Sequence, residues 1–314
     1  MDRNDLALQG RSFLALRDYT PDELGALLDL AADQKATTRA GGTTAVLPGR
    51  VLAMIFQKTS TRTRVSFEVG MYQLGGHALF LSSADIQLKL GETIKDTANV
   101  LSRYASAIMI RTFAQQDVVD LARYGQIPVI NGLTDDYHPC QVMADLLTVR
   151  EHLGGLAGKH LVYLGDGDNN MANTLMEGGA MMGMRVTICG PAGYQPRADM
   201  VAKARSVAVG GAEIAVSDDP RAAVAGADVI YTDTFTSMGQ EAEHDARLAV
   251  LLDYQVNMDL VRHAGPQARL MHCLPAHWGE EITEEALYCD QSIAFDQAEN
   301  RLHAQKAIMA ALIR

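Results

Sequence analysis

The chain has 314 residues, 48% of them hydrophobic and 21% charged, with 38 acidic against 27 basic side chains for a formal net charge of −11. This length exceeds one ordinary core and suits two domains of about 150 residues, and the composition is that of a globular chain rather than a disordered one. The negative charge argues against nucleic acid or an anionic membrane as partner, while leaving room for a basic pocket that takes a small anion. Cys140, Cys189, Cys273 and Cys289 form no C-x-x-C pair and no metal-ligand spacing. No run approaches about 18 uninterrupted apolar residues, and the opening Met1-Asp2-Arg3-Asn4-Asp5 lacks the apolar region of a signal peptide. The expectation is a cytoplasmic, unprocessed protein.

After a polar lead-in, Thr20-Pro21-Asp22-Glu23 reads as an N-cap, a proline at the first helical position and acids in the first turn, opening a helix to about Thr37. Val51 to Phe56 is an apolar run of strand length. Beyond it, Thr59-Ser60-Thr61-Arg62-Thr63-Arg64 leads into a helical repeat of Val65, Val69 and Tyr72 that stops at Gly75-Gly76. A strand entering a helix through hydroxyls and arginines gathers free N–H groups, the positive dipole end and guanidinium donors at one point, which is an anion site suited to phosphate.

Next come a short strand at Ala78–Leu81, a polar connection from Ser82 to Gly91, and a helix over Glu92–Ala105. A strand at Ala107–Arg111, a helix at Gln115–Gly125, a strand at Pro128–Asn131 and a helix at Gln141–Leu153 complete the first half. Gly154 to Lys159 is the linker candidate. The second half alternates in the same way: strands at His160–Leu164, Arg185–Cys189, Ile214–Val216, Asp228–Thr232 and Arg269–His272, and helices at Met171–Met182 and Arg197–Ala208. A last strand, Ser292–Phe295, is expected before a terminal helix at Ala298–Ile313. This alternation implies two parallel-sheet α/β domains, residues 1–150 and 151–297.

Ligands in such sheets sit beyond the carboxyl ends of the strands, where this chain collects polar residues. Arg111 ends one strand and reads more readily as a surface ion pair than as a ligand group. His138-Pro139-Cys140-Gln141 stands at a helix start, where His138 can donate to a carbonyl oxygen and Gln141 can accept from an amine. Gly165-Asp166-Gly167-Asp168-Asn169-Asn170 lacks the third glycine of a dinucleotide loop. Asn169 and Asn170 there read as helix caps or as holders of a carboxylate. Asp233, followed by Ser237-Met238-Gly239, can pair with an ammonium or cap a turn. Cys273, in His272-Cys273-Leu274-Pro275, reads as a small hydrophobe or a partial thiolate. Arg301 falls in the first turn of the expected terminal helix, an unfavourable place for a cation unless it faces an anion. The residue types alone describe a bisubstrate transferase that joins a phosphorylated small molecule to an amino acid.

As a set these motifs resemble the carbamoyltransferase family over residues 11 to 314. Ser60-Thr61-Arg62-Thr63-Arg64 with His138-Pro139-Cys140-Gln141 resembles its carbamoyl-phosphate signature, and Asp233, Ser237-Met238-Gly239 and His272-Cys273-Leu274-Pro275 resemble its ornithine branch. The resemblance implies that Ser60, Thr61, Arg62 and Thr63 hold the phosphate. Arg111, His138 and Gln141 hold the carbamoyl end, and Gln87 reaches a neighbouring subunit's site. Asn170, Asp233, Ser237 and Met238 contact ornithine, and Cys273, Leu274 and Arg301 line the junction of the substrates. Arg111, His138, Cys273 and Arg301 are the catalytic candidates. It further implies a C-terminal helix packed back on the first domain, neither cofactor nor metal, and a homotrimer or multiple of trimers. Three features depart from the family pattern: Trp278 where arginine is common, Thr234-Phe235-Thr236, and an extra residue at Asp168. Competing readings are another acceptor (aspartate, putrescine or N-acetylornithine), a nucleotide-dependent oxidoreductase built on the Gly165 loop, and a silent binding subunit.

Overall fold

The computed structural model describes residues 6–82 and 91–314. In chain order its elements are α1 (Pro21–Arg39), β1 (Val51–Phe56), α2 (Thr61–Gln73), β2 (His77–Ser82), α3 (Ile94–Tyr104), β3 (Ala107–Arg111), α4 (Gln115–Tyr124), β4 (Val129–Leu133) and α5 (Pro139–Leu153). There follow β5 (His160–Leu164), α6 (Asn170–Met181), β6 (Arg185–Cys189), α7 (Ala198–Ser206), β7 (Glu213–Ser217), α8 (Pro220–Val224), β8 (Val229–Thr232), α9 (His244–Leu251), α10 (Met258–Ala264), β9 (Arg269–His272), α11 (Glu284–Leu287) and α12 (Ala294–Leu312).

The strands form two sheets, ordered β2-β1-β3-β4 and β7-β6-β5-β8-β9, and every named pairing is parallel. The chain divides into two compact units, one running to Leu147 and resumed over Asn300–Arg314, the other Thr148–Glu299. This is the doubled parallel α/β architecture, with the C-terminal helix packed on the N-terminal unit. The central strands read as unbroken apolar runs because helices cover both faces of a parallel sheet. Ile55, Ile108 and Ile110 are fully buried in the first unit, as are Val162, Leu164, Ile230 and Leu270 in the second. Each contributes about 1.5–3 kcal/mol by leaving water. Helix α1 begins as its sequence requires: the Thr20 side chain accepts from the Glu23 amide, Glu23 accepts from the Thr20 amide, and Pro21 fills the first position.

Two expectations give way, and one helix shows a face the sequence did not specify. Ser292–Phe295 is not a strand: a single bridge joins Leu270 to Ser292, and helix α12 starts at Ala294. A short apolar run fits either state, and here the Ile293 amide donates to Leu270 while its carbonyl already accepts from Gln297. Arg301 therefore lies two turns inside α12, so the unfavourable dipole at a first turn is not what holds it. The repeat Val65, Val69, Tyr72 is the outward face of α2; Tyr72 is 80% exposed, and the face that packs is Thr63, Phe67, Gly70 and Met71. That inner face meets α12. A Cβ on Gly70 would lie 3.0 Å from Met309 Cε and 3.2 Å from Lys306 Cγ, so glycine is what permits the approach. Lys306, buried there, donates to Thr38 and Gln73 at 3.0 and 2.9 Å, and its pKa falls to about 8 through desolvation. Lys35 donates to Asn300 at 2.7 Å, a second polar tie on the same helix.

Candidate active site

Each sheet has one place where strand order reverses, and the polar residues gather at both. In the first sheet the reversal lies between β1 and β3, since β2 continues on one side and β3 on the other. A crevice opens at such a point beyond the strand ends. Ser60 follows β1 as the N-cap of α2, accepting from the Thr63 amide at 3.2 Å. The first turn of α2 contains no acid, so apart from the Ser60 cap no side chain of that turn offsets the positive end of its dipole. Thr61 is exposed and Arg62 half-buried at this end. Arg64 turns away, paired with Glu68 at 3.0 Å and lying over the Phe80 ring.

Arg111 ends β3 at a register irregularity against β4, where Ile110 faces Asn131 but Arg111 faces Leu133. Such bulges re-aim a side chain. Arg111, His138, Gln141 and Arg301 are all buried. Arg301 donates through Nη1 to Gln141 Oε1 at 2.6 Å and through Nη2 to Thr63 Oγ1 at 3.1 Å. Gln141 in turn donates to Asp145 at 2.8 Å, fixing which end of its amide faces the arginine. The His138 pKa lies well below the ordinary histidine range, first through burial and then through the positive charges of Arg301, Arg111 and Arg62. Burial and these positive charges together favour the neutral imidazole. Cys140, beside it in sequence, is a fully buried thiol pushed up to about 12, which makes it packing rather than chemistry. Gln87 lies outside the described residues.

In the second sheet the reversal lies between β5 and β8, and the loops after those strands carry the other candidates. Thr232 donates to the Leu164 carbonyl at 3.0 Å, tying the two strand ends. Gly165 has φ +118, and a Cβ there would lie 2.8 Å from Phe235, so only glycine lets the loops close on each other. Asn169 caps α6, accepting from the Ala172 amide at 2.9 Å and donating to the Tyr163 hydroxyl at 2.8 Å. Asn170 is the first helical residue and half-buried. Asp233 Oδ1 accepts from Cys273 Sγ at 2.9 Å and from the Thr234 amide at 2.8 Å. Cys273 thus stands as a thiol donor to a carboxylate. Leu274 follows in the left-handed region at φ +59, a conformation that costs a branched residue about 1–2 kcal/mol and that concentrates at functional sites. Its amide donates to His272 Nδ1 at 2.8 Å. Ser237 is half-buried and Met238 exposed in the turn that ends at Gly239.

Sequence reading missed the residues that hold these loops. Arg247 on α9 pairs with buried Asp166 and donates to the Phe235 carbonyl at 2.7 Å, bridging the two loops. Fully buried Glu281 accepts from His272 Nε2 at 3.1 Å. In the first unit, Gln305 accepts from Arg301 Nε and Nη2 at 3.2 and 3.0 Å with its amide oxygen turned inward. Only the buried charge signal of Asp166 after a strand was there to be read. Trp278, 55% exposed, packs edge-on against Tyr288 at 6.3 Å and leaves the site residues alone.

Two parallel α/β units, one with buried arginines and a helix N-terminus at its switch point and the other with a carboxylate–thiol pair at its own, define a group-transfer enzyme. The sequence profile of the aspartate/ornithine carbamoyltransferase carbamoyl-P binding domain matches residues 11–151, and that of the Asp/Orn binding domain matches residues 157–312. An ornithine carbamoyltransferase of Symbiobacterium thermophilum is 54% identical over 307 residues, covering 98% of this chain and 99% of that protein. One of Anoxybacillus flavithermus is 53% identical over 309 residues, 98% of each. The solved ornithine carbamoyltransferase of Pyrococcus furiosus superposes with a TM-score of 0.94 at 50% identity over 98% of both chains. The chain belongs to the aspartate/ornithine carbamoyltransferase family.

Proposed function

We propose that the chain transfers the carbamoyl group of carbamoyl phosphate to the δ-amine of L-ornithine, giving L-citrulline and phosphate. The observation that carries this reading is buried Arg301 bonded to both Gln141 and Thr63, with the positive charges of Arg301, Arg111 and Arg62 acting on buried His138, at an acid-free helix N-terminus in a chain of net charge −11. Ser60, Thr61, Arg62 and Thr63 take the phosphate. Arg111 and His138 face the carbonyl oxygen, and Gln141, oriented by Arg301 and Asp145, takes the carbamoyl amine.

In the second unit Asn170, the first residue of α6, takes the α-carboxylate, while Asn169 caps the helix. Asp233, Ser237 and Met238 bind the rest of ornithine, with Cys273 and Leu274 bordering the reacting groups. The δ-amine has a pKa near that of lysine, about 10.4, so it must shed a proton before attack. Asp233, hydrogen-bonded to the Cys273 thiol, orients it. Attack on the carbonyl carbon places negative charge on the carbonyl oxygen, which Arg111 and His138 stabilise. The bond to the phosphate oxygen then breaks, Arg62 with the α2 amides receives the leaving phosphate, and the proton given up by the attacking nitrogen leaves on that phosphate. Positioning and fixed charge suffice for this step.

The same reading assigns the chain to arginine biosynthesis in the cytoplasm and to a homotrimer or a multiple of trimers. The outward face of α2, with Val65, Val69 and Tyr72 uncovered in the single chain, supports self-association. Among the described residues no helix is long and apolar enough to cross a membrane. The test of function is an acceptor panel of ornithine, aspartate, putrescine and N-acetylornithine with carbamoyl phosphate as donor. Turnover with ornithine alone supports the assignment; turnover confined to another acceptor overturns the roles of Asp233, Ser237 and Met238. Light scattering on the purified chain tests the trimer, and a monomer at micromolar concentration would contradict it.

A further inference from the structure

The loop beyond Leu274 carries donors that neither substrate uses. His277, Glu280 and Glu281 each present one nitrogen or oxygen atom, all within 4.8 Å of one another. The two oxygens of Glu281, a fully buried residue, are not equivalent. Oε1 accepts from His272 Nε2 at 3.1 Å and from the His277 amide at 2.6 Å. Oε2 is buried and has no hydrogen-bond partner; it faces the His277 ring, with Nδ1 at 3.6 Å. A buried carboxylate oxygen in that state carries a desolvation cost that a cation or donor in front of it would offset.

The remaining features are those of a prepared metal centre. Ligating carboxylates are held by hydrogen bonds from behind. Here His272 holds Glu281, and His244 Nε2 lies 3.2 Å from Glu280 Oε1. His277 and Glu280 are partly exposed, which gives an ion a path of entry. We propose that His277, Glu280 and Glu281 form a site for one divalent cation of the zinc class. One imidazole and two carboxylates with a solvent-facing side suit zinc with a water as fourth ligand, whereas calcium and magnesium favour oxygen donors alone. The ion would brace the segment from 277 to 281, and through Glu281 and His272 it would steady the Leu274 amide next to Cys273.

The test is zinc titration of the full-length chain, stripped with a chelator, by calorimetry and by competition with a chromophoric chelator. The wild type should bind one equivalent per chain. His277→Ala and Glu280→Gln, at partly exposed positions, should each weaken binding about 10- to 100-fold while circular dichroism shows an intact fold. Cys273→Ser should bind as the wild type does. Trp278, the only tryptophan and the neighbour of His277, should change its fluorescence with the same saturation, and His277→Ala should abolish that change. Unaltered affinity in both His277→Ala and Glu280→Gln overturns the site. So does loss of the equivalent in Cys273→Ser, which would put the ion on the thiolate, or an absence of binding below millimolar zinc.

Discussion

Arg301 Nη1 donates to Gln141 Oε1 at 2.6 Å, joining the C-terminal helix to the start of α5 across 160 residues of sequence. The same guanidinium reaches Thr63 in the first turn of α2, so one side chain sets the spacing of the proposed carbamoyl and phosphate contacts. A lysine can keep the charge but not the two directed bonds. Arg301→Lys should therefore lower kcat/KM for carbamoyl phosphate by about 100-fold, a loss of roughly 3 kcal/mol in transition-state stabilisation. Steady-state kinetics with varied carbamoyl phosphate checks this, and a change under about threefold would reduce Arg301 to a packing role.

His138 provides a prediction in pH. Burial, then Arg301, Arg111 and Arg62, hold its pKa below the ordinary histidine range, while in the unfolded chain it titrates near about 6.5. Below that pH the unfolded state binds a proton that the folded state refuses. Its contribution is thus complete above about pH 6.5 and is lost as the pH falls from there toward the folded value, by at most about 1.4 kcal/mol per pH unit. Urea unfolding at about pH 5.5 and 7.5 should show a pH dependence about 1 kcal/mol smaller in His138→Gln than in the wild type. His160, whose pKa burial also lowers, accounts for part of the slope that remains.

Asp233 accepts from Cys273 Sγ at 2.9 Å, and its proposed place on the amine side should separate the two substrates kinetically. Asp233→Asn retains the shape of the side chain and removes its charge, so kcat/KM for ornithine should fall about 100- to 1000-fold. KM for carbamoyl phosphate should stay within about twofold. Equal losses for both substrates would contradict the placement of Asp233 on the amine side.

Much of this arrangement was legible in the chain. Strands β1, β3, β5, β6 and β9 have the expected bounds, because strands covered on both faces are continuous apolar runs ended by polar residues. The site candidates stood directly after them. What the sequence left open needed tertiary information. Helix α2 has two faces of helical period, Val65-Val69-Tyr72 and Thr63-Phe67-Gly70-Met71, and only the arrival of α12 decides which is buried. Helix α9 has no side-chain cap to announce it. Helix α10 does have one, since Asn257 accepts from the Asp259 and Leu260 amides, and that signal went unread. Arg247 could not be assigned because Asp166 lies 81 residues away in sequence.

The contact of α2 with α12 is itself testable. Gly70→Val places branched carbon against Met309 and Lys306, where a single Cβ already lies at 3.0 Å. Overpacking of this kind costs about 1–3 kcal/mol. The melting temperature should fall, and activity should fall with it because α12 carries Arg301. A variant as stable and as active as the wild type would show that the helix can shift without consequence.

The arginine cluster is the proposed seat of carbamoyl phosphate in a reaction that makes citrulline. The measurement that reaches it most directly is the initial rate of citrulline formation from carbamoyl phosphate and L-ornithine by the wild type and by Arg62→Ala. The prediction is steady turnover by the wild type and a loss of at least about 100-fold in the variant, with its circular dichroism unchanged. Citrulline formed at similar rates by both proteins would contradict it, as would a wild type that forms none.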